Sequence, residues 1–160
     1  MWLVWESEVR TRMFTPKAIG VVRSPYTSTA EVPKGPGAKH DAVGTLEILP
    51  EFEPGLLDIE GFSHLFVVWM FDRSERVELM GPTPMDHRVH GVFATRSPFR
   101  PNPIALTVVE LLRREGGTLH VRGVDMLDGT PILDIKPYLS GIPEESLRRG
   151  WLGEAEAGKG

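Results

Sequence analysis

The sequence has no cysteine in its 160 residues. That absence excludes disulfides, thiolate zinc sites, iron–sulfur clusters and a thiol nucleophile together. No apolar run approaches the ~20 residues of a membrane helix. The opening residues, Met1 to Glu6, carry an acid and no basic n-region, unlike a secretory signal. A broad positive charge is also missing: 22 acids against 18 bases leave a net charge of -4. A nucleic-acid partner would therefore need a local basic patch. Gly35-Pro36-Gly37 lacks the third glycine and preceding strand of a dinucleotide fingerprint, and no Walker lysine follows. There is no His-Glu-x-x-His and no Gly-x-Ser-x-Gly. His40, His64, His87, His90 and His120 show no metal-ligand spacing, so no metal is expected. The default is a soluble cytoplasmic protein.

What remains is ordinary globular material, 41% hydrophobic and 25% charged. Its length suits one domain. Residues 1–14 read as an N-terminal extension, with Met13 a possible alternative start. Residues 15–152 form the domain, and the small polar tail 153–160 is expected to fray. The 17 glycines and 14 prolines suit short strands joined by tight turns. Candidate strands are Ala18–Arg23, Thr45–Leu49, Leu65–Phe71, Gly91–Thr95, Ile104–Leu112, Leu119–Val124 and Ile132–Ile135. Leu65–Phe71 is apolar throughout, as a strand buried on both faces would be. Glu115-Gly116-Gly117 and Asp128-Gly129 supply turns. Helix is expected only as short pieces near Pro54–Glu60 and after Pro143. About seven strands without a crossover helix predict an all-β or mainly β fold, a small, largely antiparallel barrel. Val67, Trp69, Leu106, Val108 and Val121 are the expected core.

Four stretches could carry chemistry. Arg96 to Asn102 lies in a loop with three prolines, which is stiff enough to hold Arg96, Arg100 and Asn102 in place. It could equally be a proline corner whose arginines are solvated. Asp125 to Tyr138 makes a turn at Asp128-Gly129, after which Asp134 and Lys136 sit two apart on one strand face, either a general base with its tuning partner or a plain ion pair. Ser63 and His64 point to opposite faces and make a poor nucleophile–base pair. Glu31 to His40 is a glycine-rich basic loop that could approach a phosphate or nucleoside with its backbone, or could merely be mobile.

Three segments together resemble the TsaA-like (TrmO-type) tRNA methyltransferase family. They are Gly61-Phe-Ser-His-Leu65, Gly91-Val-Phe-Ala-Thr-Arg-Ser-Pro-Phe-Arg-Pro-Asn-Pro-Ile104 and Asp128-Gly-Thr-Pro-Ile-Leu-Asp-Ile-Lys-Pro-Tyr138. They fall in family order between about Ala18 and Ile142. The resemblance implies a small barrel that binds S-adenosylmethionine without a Rossmann sheet, forms a homodimer, and methylates N(6) of threonylcarbamoyl-adenosine beside the tRNA anticodon. Carried over by motif, the cofactor residues are Pro33, Lys34, Gly35, Asp72, Arg73, Arg96, Leu106, Met126, Leu127, Asp128 and Gly129. Asn102, Asp134 and Lys136 are the catalytic candidates, and Arg88, Arg100 and Tyr138 the substrate contacts. Arg88, Arg96, Arg100, Lys34 and Lys39 would make the RNA-facing patch. Two positions depart from the family pattern. Pro33-Lys34-Gly35 stands where many members have Pro-Arg-Gln, and Asp72-Arg73 where a His-Lys pair is common. The rival reading is a non-enzymatic barrel that senses S-adenosylmethionine or a nucleotide.

Overall fold

The computed structural model describes residues 14–34 and 38–158. Six strands close into the expected antiparallel barrel: β1 (Gly20–Arg23), β2 (Val43–Ile48), β3 (His64–Met70), β6 (Ile104–Glu115), β7 (Thr118–Arg122) and β8 (Pro131–Pro137). Their order around the barrel is β1-β2-β7-β6-β3-β8, so no edge is left open. A separate hairpin, β4 (Met80–Pro82) with β5 (Val89–Gly91), stands on the long excursion between β3 and β6. The last element among the described residues is a helix, α1 (Gly150–Ala157).

Side-chain alternation fills the bore. Leu65, Val67 and Trp69 of β3 point inward to meet Val22, Leu46, Val109, Leu119, Val121 and Ile132, all buried. The other face of β3 is half-buried rather than sealed, so the strand is covered fully on one side only. On β6 the inward positions are Thr107 and Val109. Leu106 and Val108, expected in the core, instead lie on the outer wall, 44% and 41% exposed. The cause is parity. Trp69 pairs with Ala105, and Val67 with Thr107, which fixes the odd-numbered residues of this part of β6 on the inner face.

Two further expectations change. Gly91–Thr95 is a strand only to Gly91, after which Val92–Ala94 makes a 3-10 turn. The tail does not fray at Gly153, because α1 runs through that position to Ala157. The Trp151 ring of α1 stacks on His90 at 4.0 Å, and its Nε1 donates to the Ala94 carbonyl at 2.9 Å. The pieces expected near Pro54 and Pro143 are 3-10 turns, at Pro50–Leu56, Ile59–Gly61 and Glu144–Ser146. The first of these turns buries Leu56 against the core and plugs one end of the barrel, between β2 and β3.

Candidate functional site

Antiparallel strands send alternate connections to opposite ends of a barrel. The β1–β2, β3–β6 and β7–β8 connections all leave from the end opposite the Leu56 plug. Three of the four chemistry-bearing stretches lie at least partly in those connections, where Ser24, Tyr26 and Arg73 from two of the connections hydrogen-bond the turn in the third.

The Met126–Gly129 turn is the hub. Ser24 Oγ donates to the Met126 carbonyl at 2.6 Å, and Ser24 N–H donates to Asp128 Oδ1 at 3.1 Å. Asp128 N–H donates to the Tyr26 carbonyl at 2.8 Å. From the β3–β6 excursion, Arg73 Nη2 donates to the Asp128 carbonyl at 2.9 Å, linking residues 55 apart. Gly129 takes φ +83°, a left-handed conformation suited to glycine, and this lets the turn close. Met126 is buried, while Leu127 and Asp128 are half-buried at the rim. Pro33 and Lys34 lie in the β1–β2 connection at this end, whereas Gly35 falls outside the described residues, as does Met13.

Next to the turn stands a residue that the motifs alone do not single out. Gly123, at φ +102°, bends the chain out of β7, and its N–H and that of Val124 both donate to the Ala42 carbonyl. Asp125 then faces β6, where Thr107 Oγ1 donates to its Oδ1 at 2.6 Å. Thr107 is itself held from β3, because Trp69 Nε1 donates to the same Oγ1 at 2.9 Å. Burial raises the Asp125 carboxyl above its usual range, against the pull of the Thr107 hydroxyl and the nearby charges of His40 and Arg96. Asp125 opens the Asp-Met-Leu-Asp-Gly run, but its sequence neighbours give no sign of Trp69 or Thr107.

The proline loop is stiff for a reason beyond its prolines. Arg100 Nη1 donates to the carbonyls of Val92, Thr95 and Ser97 at 2.9, 2.8 and 3.3 Å. Its guanidinium, expected to face substrate, is drawn into the loop as an internal strut. Arg96 by contrast is exposed. The Arg76 guanidinium covers the Phe99 ring at 4.0 Å, and Glu78 N–H donates to the Phe99 carbonyl, so the excursion packs against this loop. Asn102 lines a small apolar cavity of about 130 Å³ with Phe14, Met70, Pro103, Ile104 and Leu133.

Comparison with known proteins adds a family. The family model of the tRNA-methyltransferase O N-terminal domain matches residues 21–143. The chain belongs to that family. A probable S-adenosyl-L-methionine-binding protein of Pyrococcus abyssi is 47% identical over 140 residues, covering 85% of this chain and 74% of the relative. The tRNA (adenine(37)-N6)-methyltransferase of Escherichia coli is 38% identical over 131 residues, covering 76% of this chain and 56% of that enzyme. A crystal structure of TrmO from Pseudomonas aeruginosa superposes with a TM-score of 0.71 at 35% identity, covering 88% of this chain. The chain spans 63% of that solved protein.

Within the TrmO-type frame, several candidates stand away from the turn. An extended strand advances about 3.3 Å per residue, which carries Asp134 about 10 Å along β8 from its start at Pro131. Lys136 and Tyr138 lie further still. Lys136 Nζ and Asp134 Oδ2 form an exposed ion pair at 2.8 Å on the outer wall, where that partner raises the lysine's proton affinity. Tyr138 packs its ring on Phe66 at 5.1 Å, near the plugged end. Leu106 turns its side chain outward, away from Thr107. Arg88 is exposed on the β4–β5 hairpin, 3.9 Å from Glu154 of α1. Asp72 and Lys39 are exposed at the open end. Among the described residues no cluster of three histidine or acidic side chains could hold a metal, and no helix is long and apolar enough to cross a membrane.

Proposed function

We propose that this protein is an S-adenosylmethionine-dependent methyltransferase that acts on N(6) of threonylcarbamoyl-adenosine beside the anticodon of tRNA. The observation that carries the reading is the 2.9 Å tie between Arg73 and the Asp128 carbonyl. It joins two segments that the family resemblance assigns to one cofactor, although they are far apart in sequence. The residues suit such a ligand chemically. Leu127 offers an apolar wall at the rim, the turn offers backbone groups, and Arg73, Arg96 and Lys34 offer cations for a carboxylate. When bound, S-adenosylmethionine supplies an electrophilic methyl group on a sulfonium.

The protein's own part in such a displacement is alignment and proton handling. The knitted turn and the Arg100-braced loop hold Met126–Gly129 and Arg96 with little freedom left to lose. Arg96, Lys34, Lys39 and Arg88 form the basic group available to an RNA backbone. A second copy of the chain covers the outer apolar surface. Met80 and Phe93 on the excursion are 67% and 79% exposed, and Ile104, Leu106 and Val108 add to them on the outer wall. Exposed apolar side chains of this size, present on two identical chains, suit a two-fold contact.

The competing reading is a binding barrel without catalysis, favoured by the net charge of -4 and by the naming of the Pyrococcus relative. One experiment separates them. Total tRNA from cells lacking the gene is incubated with the protein and methyl-labelled S-adenosylmethionine, then digested and resolved by nucleoside mass spectrometry. Label on threonylcarbamoyl-adenosine supports the enzyme. Calorimetric binding of the cofactor with no labelled nucleoside at all supports the binding barrel.

A further inference from the structure

We propose that Asp125, set in place by the Trp69–Thr107 hydrogen-bond chain, is the group that accepts the proton released by the methyl-acceptor nitrogen. The proposal rests on the methyltransferase reading above.

The direction of the chain is fixed by its chemistry. An indole N–H can only donate, so Thr107 Oγ1 must accept from Trp69 and has its single proton left for Asp125. The Thr107–Asp125 separation of 2.6 Å is that of a hydroxyl bonded to a carboxylate. Thr107 is buried and lies on the inner face of β6, with Trp69 diagonal to it on β3, so both are braced by the closed barrel. One carboxylate oxygen is thereby oriented. No side chain among the described residues hydrogen-bonds the other oxygen, Oδ2. Asp125 keeps partial exposure at the rim beside Met126–Gly129, which leaves Oδ2 as its oxygen without a side-chain partner.

A base here needs a free oxygen, a fixed orientation and a proton affinity above that of a solvated carboxylate. Burial supplies the last. The charged or titratable groups facing Asp125 are His40 from the β1–β2 connection and Arg96 from the proline loop, and both act to keep it ionised. Asp134, the other candidate carboxylate, is committed to Lys136 on the outer wall of β8.

The step balances. The acceptor nitrogen bonds to the methyl carbon as the sulfur–methyl bond breaks, and that electron pair remains on sulfur as a neutral thioether. The nitrogen, now carrying a surplus proton, passes it to the Asp125 carboxylate. The resulting neutral acid returns the proton to water.

The test uses the full chain, total tRNA from cells lacking the gene, and S-adenosylhomocysteine as the binding probe. Asp125→Asn keeps shape and hydrogen bonding but cannot take a proton. It should lower kcat by about 10²- to 10⁴-fold while calorimetric affinity for S-adenosylhomocysteine stays within about threefold. The parent kcat should fall at low pH along a limb set by Asp125. Thr107→Val should move that limb to higher pH, because the hydroxyl that stabilises the carboxylate is gone, and Thr107→Ser should restore it. In the parent, the Asp125 carboxyl carbon followed by NMR should titrate above the ordinary value of ~3.9. Unchanged kcat in Asp125→Asn overturns the proposal. So does a tenfold loss of S-adenosylhomocysteine affinity with normal kcat at saturation, which would make Asp125 a cofactor ligand. Titration at or below the ordinary value also overturns it. If the parent transfers no methyl group to tRNA, the proposed function falls and this proposal falls with it. Transfer by parent and Asp125→Asn alike removes only the latter.

Discussion

Arg100→Ala removes the guanidinium that braces the proline loop. Read from the loop alone, Arg100 is a phosphate contact, and its loss should weaken tRNA binding. The structure instead commits its Nη1 to the carbonyls of Val92, Thr95 and Ser97. One Nη1 carries two protons, so the three contacts amount to about two bonds, one of them shared. A hydrogen bond from a charged donor contributes ~1.5–3 kcal/mol net, but these carbonyls lie in a surface loop where water replaces part of the loss. The expected destabilisation is therefore about 2 kcal/mol in total. For a domain of this size that lowers Tm by about 4–8 °C. The loop that presents Arg96 would loosen as well, so cofactor affinity should fall together with stability. Differential scanning calorimetry, with and without S-adenosylhomocysteine, measures both. A Tm within about 1 °C of the parent, combined with weaker tRNA binding and a salt slope reduced by about one, would refute the strut and restore the phosphate contact.

Three further outcomes follow from the same geometry. Val67→Asp places a charge at a fully buried position facing Thr107 and Ile135, with no buried cation among the described residues. It should cost about 3–5 kcal/mol, and an unchanged urea midpoint would contradict the assigned core. Burial alone would raise Asp86, but hydrogen bonds from Arg88 N–H, His90 and Thr83, with the His90 charge, hold its carboxyl down to about 2. A depressed carboxylate stabilises the fold above its unfolded value of about 4, and that contribution is lost as pH falls through the folded value. The Trp151 indole N–H signal, bonded to Ala94, should thus weaken between those limits, and in Asp86→Asn the pH dependence should vanish. Light scattering at micromolar concentration should give twice the chain mass of 17.8 kDa, and Met80→Glu with Phe93→Asp should give the monomer; a monomeric parent removes the dimer.

How much was legible in the sequence depended on whether the deciding contact was local. The Asp128-Gly129 turn and the Glu115-Gly116-Gly117 hairpin announce themselves, because Gly129 at φ +83° and Gly116 at φ +59° are requirements of the turns themselves. β3 and β7 are equally plain. The facing of β6 was not, since Ile104 to Leu112 is largely apolar at both parities and only its pairing with β3 decides which residues enter the bore. The order in α1 was hidden by composition, because Gly153 and its small polar neighbours carry no helix signal. What orders that segment is Trp151, docked on His90 far back in the chain. Asp125 was hidden for the same reason. Its standing comes from Thr107 and Trp69, which are remote in sequence and, as isolated letters, read as strand residues.

The location of the candidate site follows from strand parity rather than from any single motif. With six strands running alternately up and down, a connection reaches the open end only if it follows β1, β3 or β7. The described parts of the glycine-rich loop, the proline loop and the Asp128 turn each occupy one of those three, so they share the open end however far apart they lie in sequence. The two connections at the other end, between β2 and β3 and between β6 and β7, carry the Leu56 plug and a two-residue turn, and they build no comparable rim. The same parity sorts the family stretch after Asp128. Its first residues belong to the turn, but each step along β8 carries the chain ~3.3 Å toward the plugged end. By Asp134 it has left the open end, and by Tyr138 it has crossed the barrel. A motif continuous in sequence is therefore divided in space. Its turn lies at the candidate site, and its strand builds the wall.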